Sequence, residues 1–99
     1  MKNQKLKYLI MGKIANVRFL KGLTEKTGNV GIYDPASQTI AIDKDISQKE
    51  ELERTIYHEL THGMIFRAGL AQVLSDEVVE ILCEQNATLI YENFVQKKR

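Results

Sequence analysis

The rhythm of hydrophobic and polar positions changes near the middle of the chain. Residues 1–45 carry short apolar runs rich in β-formers, broken by turn residues, whereas residues 46–97 place apolar side chains at helical spacing. Tyr8-Leu9-Ile10-Met11 and the stretch 14–20 read as two strands around Gly12-Lys13, with a short helix as the other reading of the second stretch. Thr27-Gly28-Asn29 marks a turn. Val30-Gly31-Ile32-Tyr33 and Thr39-Ile40-Ala41-Ile42 then flank Asp34-Pro35-Ala36-Ser37-Gln38. Pro35 presets φ for the second position of a type I turn, so this is the clearest hairpin in the chain.

The second half opens with Ser47 and Glu50 at the spacing of a capping box. Leu52, Ile56, Leu60 and Met64 follow at intervals of four, one apolar stripe of a helix, and Gly69 suits its end. Ser75-Asp76-Glu77 opens a second helix with negative charge against its dipole. Val78, Leu82, Leu89 and Phe94 are its expected buried side, and Lys97-Lys98-Arg99 closes it with the favourable positive charge. Strands followed by helices predict an α+β domain, an antiparallel sheet of about three or four strands with helices on one face.

At 99 residues the chain is expected to be one domain, residues 1–99, with no room for a separate recognition module. A domain of this size buries only about 60–65% of its unfolded surface, so a bound metal would contribute usefully to its stability. Fourteen Lys and Arg against 13 Asp and Glu leave a net charge of +1, which argues against a nucleic-acid binder working through a broad positive field. A single Cys excludes an intramolecular disulfide framework and agrees with a reducing compartment. No apolar run approaches the ~20 residues of a membrane span, and residues 8–11 are too short for a secretory signal. The expectation is a cytoplasmic protein with no membrane partner.

The chemistry concentrates in His58-Glu59-Leu60-Thr61-His62, an H-E-x-x-H motif that contains both histidines of the chain. On a helix, residues four apart share a face with Cβ atoms ~5–6 Å from each other, so two imidazoles there converge on one Zn²⁺. Glu59 is turned about 100° from His58, free to act as general base on a water polarised by the metal. A third ligand is required. Residues 65 and 68 are Ile and Ala, which excludes a further histidine at those two positions and leaves carboxylate or Cys. Glu77, Glu80 and Glu84 lie on the second predicted helix; Glu80 is the preferred ligand, with Glu84 as a hydrogen-bond partner of a ligating histidine or as the alternative ligand. Glu77 reads as a solvated acidic edge. Cys83 ranks below both glutamates, because a Cys in an apolar helix is more often a small core residue.

His58-Glu59-Leu60-Thr61-His62-Gly63 followed by Glu80-Ile81-Leu82-Cys83-Glu84 resembles the gluzincin-type zinc metallopeptidases, which carry H-E-x-x-H on one helix and a glutamate ligand on the next. The likeness is nearest to compact ImmA/IrrE-like and phage-encoded metallopeptidase domains, and Ile40-Ala41-Ile42-Asp43 is similar to the strand that precedes their active helix. It spans roughly residues 29–95. The resemblance implies a small zincin-like fold, with His58, His62 and Glu80 binding Zn²⁺ and Glu59 acting as the base toward a protein or peptide substrate. It also implies that the strand 39–43 is a sheet edge against which substrate is held. Two departures stand out: the chain shows no added DNA-binding or sensor domain, and Glu80 is followed by Ile81-Leu82, whereas Glu84 precedes Gln85-Asn86-Ala87.

Two other readings compete. One is a non-catalytic, zinc-stabilised binding or regulatory module of phage or bacterial origin, with a fourth protein ligand such as Cys83. The other is a metal-free helical protein that meets nucleic acid through Lys2, Lys5, Lys7, Lys97, Lys98 and Arg99.

Overall fold

The computed structural model describes residues 6–95. Met1-Lys2-Asn3-Gln4-Lys5 and the closing Lys97-Lys98-Arg99, to which the sequence assigned a helix end and basic tails, lie outside the described residues.

Four strands form the first half: β1 (Leu6–Ile10), β2 (Lys13–Leu20), β3 (Gly31–Asp34) and β4 (Thr39–Asp43). Residues 14–20 are therefore strand, not helix. Met11 and Gly12 both adopt positive φ, 50° and 86°, as a two-residue hairpin turn requires. A short helix, α1 (Leu23–Thr27), interrupts the strands and ends on a left-handed Gly28. The periodicity did not disclose it; at five residues it is barely more than one turn. It is tethered by Asp43, whose carboxylate accepts from the Thr24 backbone N–H and hydroxyl and from the Asp45 N–H. Those bonds favour the charged form and hold the Asp43 pKa below its ordinary value.

The sheet order is β1-β2-β4-β3. The two hairpin pairings are antiparallel as expected, but β2 and β4 run parallel, so the sheet is mixed. The cause is the crossover: after β2 the chain passes through α1 to the outside, lays down β3, and returns through the Asp34–Pro35 turn into the gap beside β2. Asp34 builds that turn by accepting from Ala36 N–H at 3.0 Å and Ser37 Oγ at 2.9 Å. The strand expected at the edge, residues 39–43, is thus interior, and β3 is the edge on that side of the sheet, with β1 at the other.

The long helix α2 (Lys49–Arg67) lies across one face of the sheet. Its N-cap is Gln48, without a side-chain cap, so the Ser47–Glu50 capping box does not form. Val17, Ile40, Ile42 and Ile56 make the core between sheet and helix, with Tyr8, Leu52 and Leu60 packed around it. Gly63 lets α2 approach: a Cβ there would fall 2.5 Å from Ile10 Cδ1 and 3.0 Å from the Tyr33 ring. Met64, expected on the buried stripe, is exposed instead.

After a 3₁₀ turn at Leu70–Gln72, helix α3 (Asp76–Ile90) packs on α2 and runs into a π-helical turn, Tyr91–Val95. Ser75 caps α3 as predicted, accepting from the Val78 N–H at 3.2 Å. Its orientation reverses the expectation. Val78, Leu82, Leu89 and Phe94 are exposed, and the buried residues are Cys83 and Ala87. Small side chains seat α3 closely against α2, and this turns the face that bears Glu80 and Glu84 toward the two histidines.

Candidate metal centre

Helix α2 brings His58 and His62 one turn apart, with ring centroids 5.1 Å from each other. Thr61 and Asn86 hold the two helices in place beside them: Thr61 Oγ1 donates to the Tyr57 carbonyl at 2.8 Å and accepts from Asn86 Nδ2 at 3.0 Å.

Both imidazoles point at one carboxylate. Glu80 Oε1 is 3.3 Å from His58 Nε2, and its Oε2 is 3.0 Å from His62 Nε2. His58 Nδ1 faces Glu84 Oε1 at 3.1 Å. The two glutamates are placed differently. Glu80 meets the Nε2 atoms of both rings, and Glu84 takes the back of one ring, where it fixes the orientation of His58. Glu77, on the exposed surface, takes no part.

Arg54 supports Glu84 and escaped the sequence reading. Its guanidinium donates to Thr88 Oγ1 at 2.8 Å, contacts Glu84 Oε2 at 3.5 Å and pairs with Glu50 at 3.2 Å. The one available signal was its place four residues before His58, on the same helix face.

Glu59 turns the other way, between α2 and β3, and is 7% exposed. Burial raises its pKa from 4.5 to about 7, against the opposing pull of His58, and the charge of Glu80 adds to the rise. On β3, Val30 C=O accepts from Asp43 N–H, so alternate residues Ile32 and Asp34 bond β4 while Gly31 and Tyr33 turn their backbone groups to the free edge. Gly31 is a second residue missed in the sequence. A Cβ there would lie 2.7 Å from Thr55 Cγ2 and 3.2 Å from Glu59 Cγ, so only glycine lets the edge strand come this close to Glu59.

Desolvation lowers the His62 pKa below 6.5, although Glu80 opposes it, which favours the neutral ring that a metal needs. Cys83 is fully buried on the neighbouring turn of α3. Burial, then the charges of Glu80, Glu59 and Glu84, push its thiol up to about 12. The donor chemistry suits a borderline cation such as Zn²⁺: two imidazole nitrogens, a carboxylate that bridges their open sides, and a sulfur close by.

Two clefts meet at His58, Glu59 and Glu80. One, of about 660 Å³, runs past Asn29, Gly31, Arg54 and Glu84; the other, of about 410 Å³, runs past Tyr33, Ile65, Phe66 and Val79. The first is acidic, and the second mixes the apolar Ile65, Phe66 and Val79 with His62, Asp76 and Glu80. No helix among the described residues is long and apolar enough to cross a membrane. No family model matches the chain, and no curated protein or solved structure matches it.

Proposed function

We propose that the protein is a zinc-dependent peptidase of the H-E-x-x-H type. The observation that carries this reading is the convergence of His58 Nε2 and His62 Nε2 on the Glu80 carboxylate of the next helix, at 3.3 and 3.0 Å, beside the buried Glu59. His58, His62 and Glu80 would hold the ion. Bound there, Zn²⁺ would supply Lewis acidity toward a carbonyl and an acidified water.

The remaining steps belong to the chain. Glu59, with a pKa near 7, is matched to accept a proton at neutral pH and to return it to a leaving amine. Glu84 and Arg54 keep His58 in one orientation. The free edge of β3 offers Gly31 and Tyr33 backbone groups to an extended peptide, which would lie across the meeting point of the two clefts. Substrate contact thus falls to β3, the strand next to the one the sequence suggested.

Glu59→Gln tests the reading directly. The variant is expected to retain bound zinc and to lose peptide cleavage by at least the ~10²–10⁴-fold typical of a lost general base. Full cleavage by the variant would remove Glu59 from the mechanism. A second reading, a zinc-stabilised module without catalysis, draws support from the burial of Cys83 beside both histidines, where a fourth protein donor would close the site.

A further inference from the structure

We propose that Cys83 is a ligand of the same ion, the buried donor that completes a His58–His62–Cys83 set. The inference rests on the metal-site reading above and changes what the site selects. Ligand atoms of the three residues all lie within 4.8 Å of one another. In a tetrahedral shell with Zn–N ~2.0–2.1 Å and Zn–S ~2.3 Å, donors stand roughly 3.3–3.6 Å apart. The triangle therefore needs to contract by no more than about 1.5 Å.

The two candidate third donors differ in how they are held. Cys83 has no exposed surface and sits at one of the two positions where α3 is buried on α2, so its side chain is already ordered. The Glu80 side chain is 61% exposed and reaches the rings from outside. Ordering an exposed glutamate costs side-chain entropy that the buried cysteine does not incur again on binding. Cys83 is thus the permanent donor and Glu80 the exchangeable one, whose departure leaves a position for water. A thiolate in the shell selects Zn²⁺ and other sulfur-accepting ions over Mg²⁺, Ca²⁺ and Mn²⁺.

The test uses the untagged 99-residue chain loaded with Co²⁺, read by absorption spectroscopy. Wild type is expected to show a thiolate-to-cobalt charge-transfer band in the near ultraviolet together with the visible bands of tetrahedral cobalt. Glu80→Gln should keep the charge-transfer band; Cys83→Ala should lose it while circular dichroism stays unchanged. Visible cobalt bands without a charge-transfer band in wild type would overturn the inference and leave the metal site standing. Failure of wild type to bind Co²⁺ or Zn²⁺ at one equivalent would overturn both. If Cys83→Ala does not fold, the wild-type spectrum alone decides.

Discussion

Glu59 shows how one side chain can be tuned for reaction at a cost in stability. Its carboxyl is more readily protonated in the folded chain, about 7 against 4.5 when exposed. A group with a raised folded pKa contributes stability that is complete below its unfolded value and is lost as pH rises through the folded one. Metal-free wild type is therefore expected to lose stability relative to metal-free Glu59→Gln as pH rises from 4.5 to about 7, with no further divergence above. Urea unfolding of both proteins across that interval checks it, and parallel curves would show that Glu59 is solvated. At this scale much was legible. The spacing of His58 and His62 dictates a shared helix face, and Glu80 and Glu84 follow at intervals that keep them on one side of α3. Gly31 and the link from Arg54 to Glu84 and Thr88 were hidden because those partners come from other elements.

The unit that decides the site's shape is the α2–α3 pair. Helix α3 carries two periodic stripes, an apolar one through Val78, Leu82 and Leu89 and another through Glu80, Cys83, Glu84 and Ala87. Period alone cannot tell which stripe faces the neighbour; hydrophobicity favours the first, and the structure turns the second toward α2, burying Cys83 and Ala87. The deciding factor is steric, since Cys83 and Ala87 permit a close approach that leucines would prevent. Leu82→Lys is accordingly expected to change stability by no more than about 0.5 kcal/mol, as for an exposed position. Ala87→Leu should cost about 1–3 kcal/mol by overpacking. Denaturant midpoints distinguish the two, and a large loss in Leu82→Lys would mean that α3 is rotated. The sheet was legible in its strands but not in its order, because the parallel β2–β4 contact depends on a crossover through α1 that no local pattern announces.

Taken whole, the described chain has a radius of gyration of 13.2 Å, close to the ~13 Å of a compact 100-residue domain. That compactness coexists with a thin interior. One helix covers one face of the sheet, while Leu9 and Ile14, paired across β1 and β2 on the other face, are exposed. A cation joining α2 to α3 would then tighten the entire structure. Zinc at 100 times its dissociation constant is expected to add about 2.7 kcal/mol, raising Tm by roughly 10–20 °C for a domain of this size. Calorimetry with and without a chelator measures the shift, which should vanish in His62→Ala. An unchanged Tm in wild type would mean that the folded state does not bind the ion preferentially.

The close approach of β3 to Glu59 ties recognition to reactivity. Gly31, on the rim of the sheet, is so near the side chain that a Cβ there would meet Glu59 Oε2 at 3.3 Å. A visiting backbone added there as a rung of the ladder would exclude water from the carboxylate and disfavour its charge. Glu59 would then hold a proton more tightly at the moment the visitor arrives, so occupancy of the rim itself would sharpen the base.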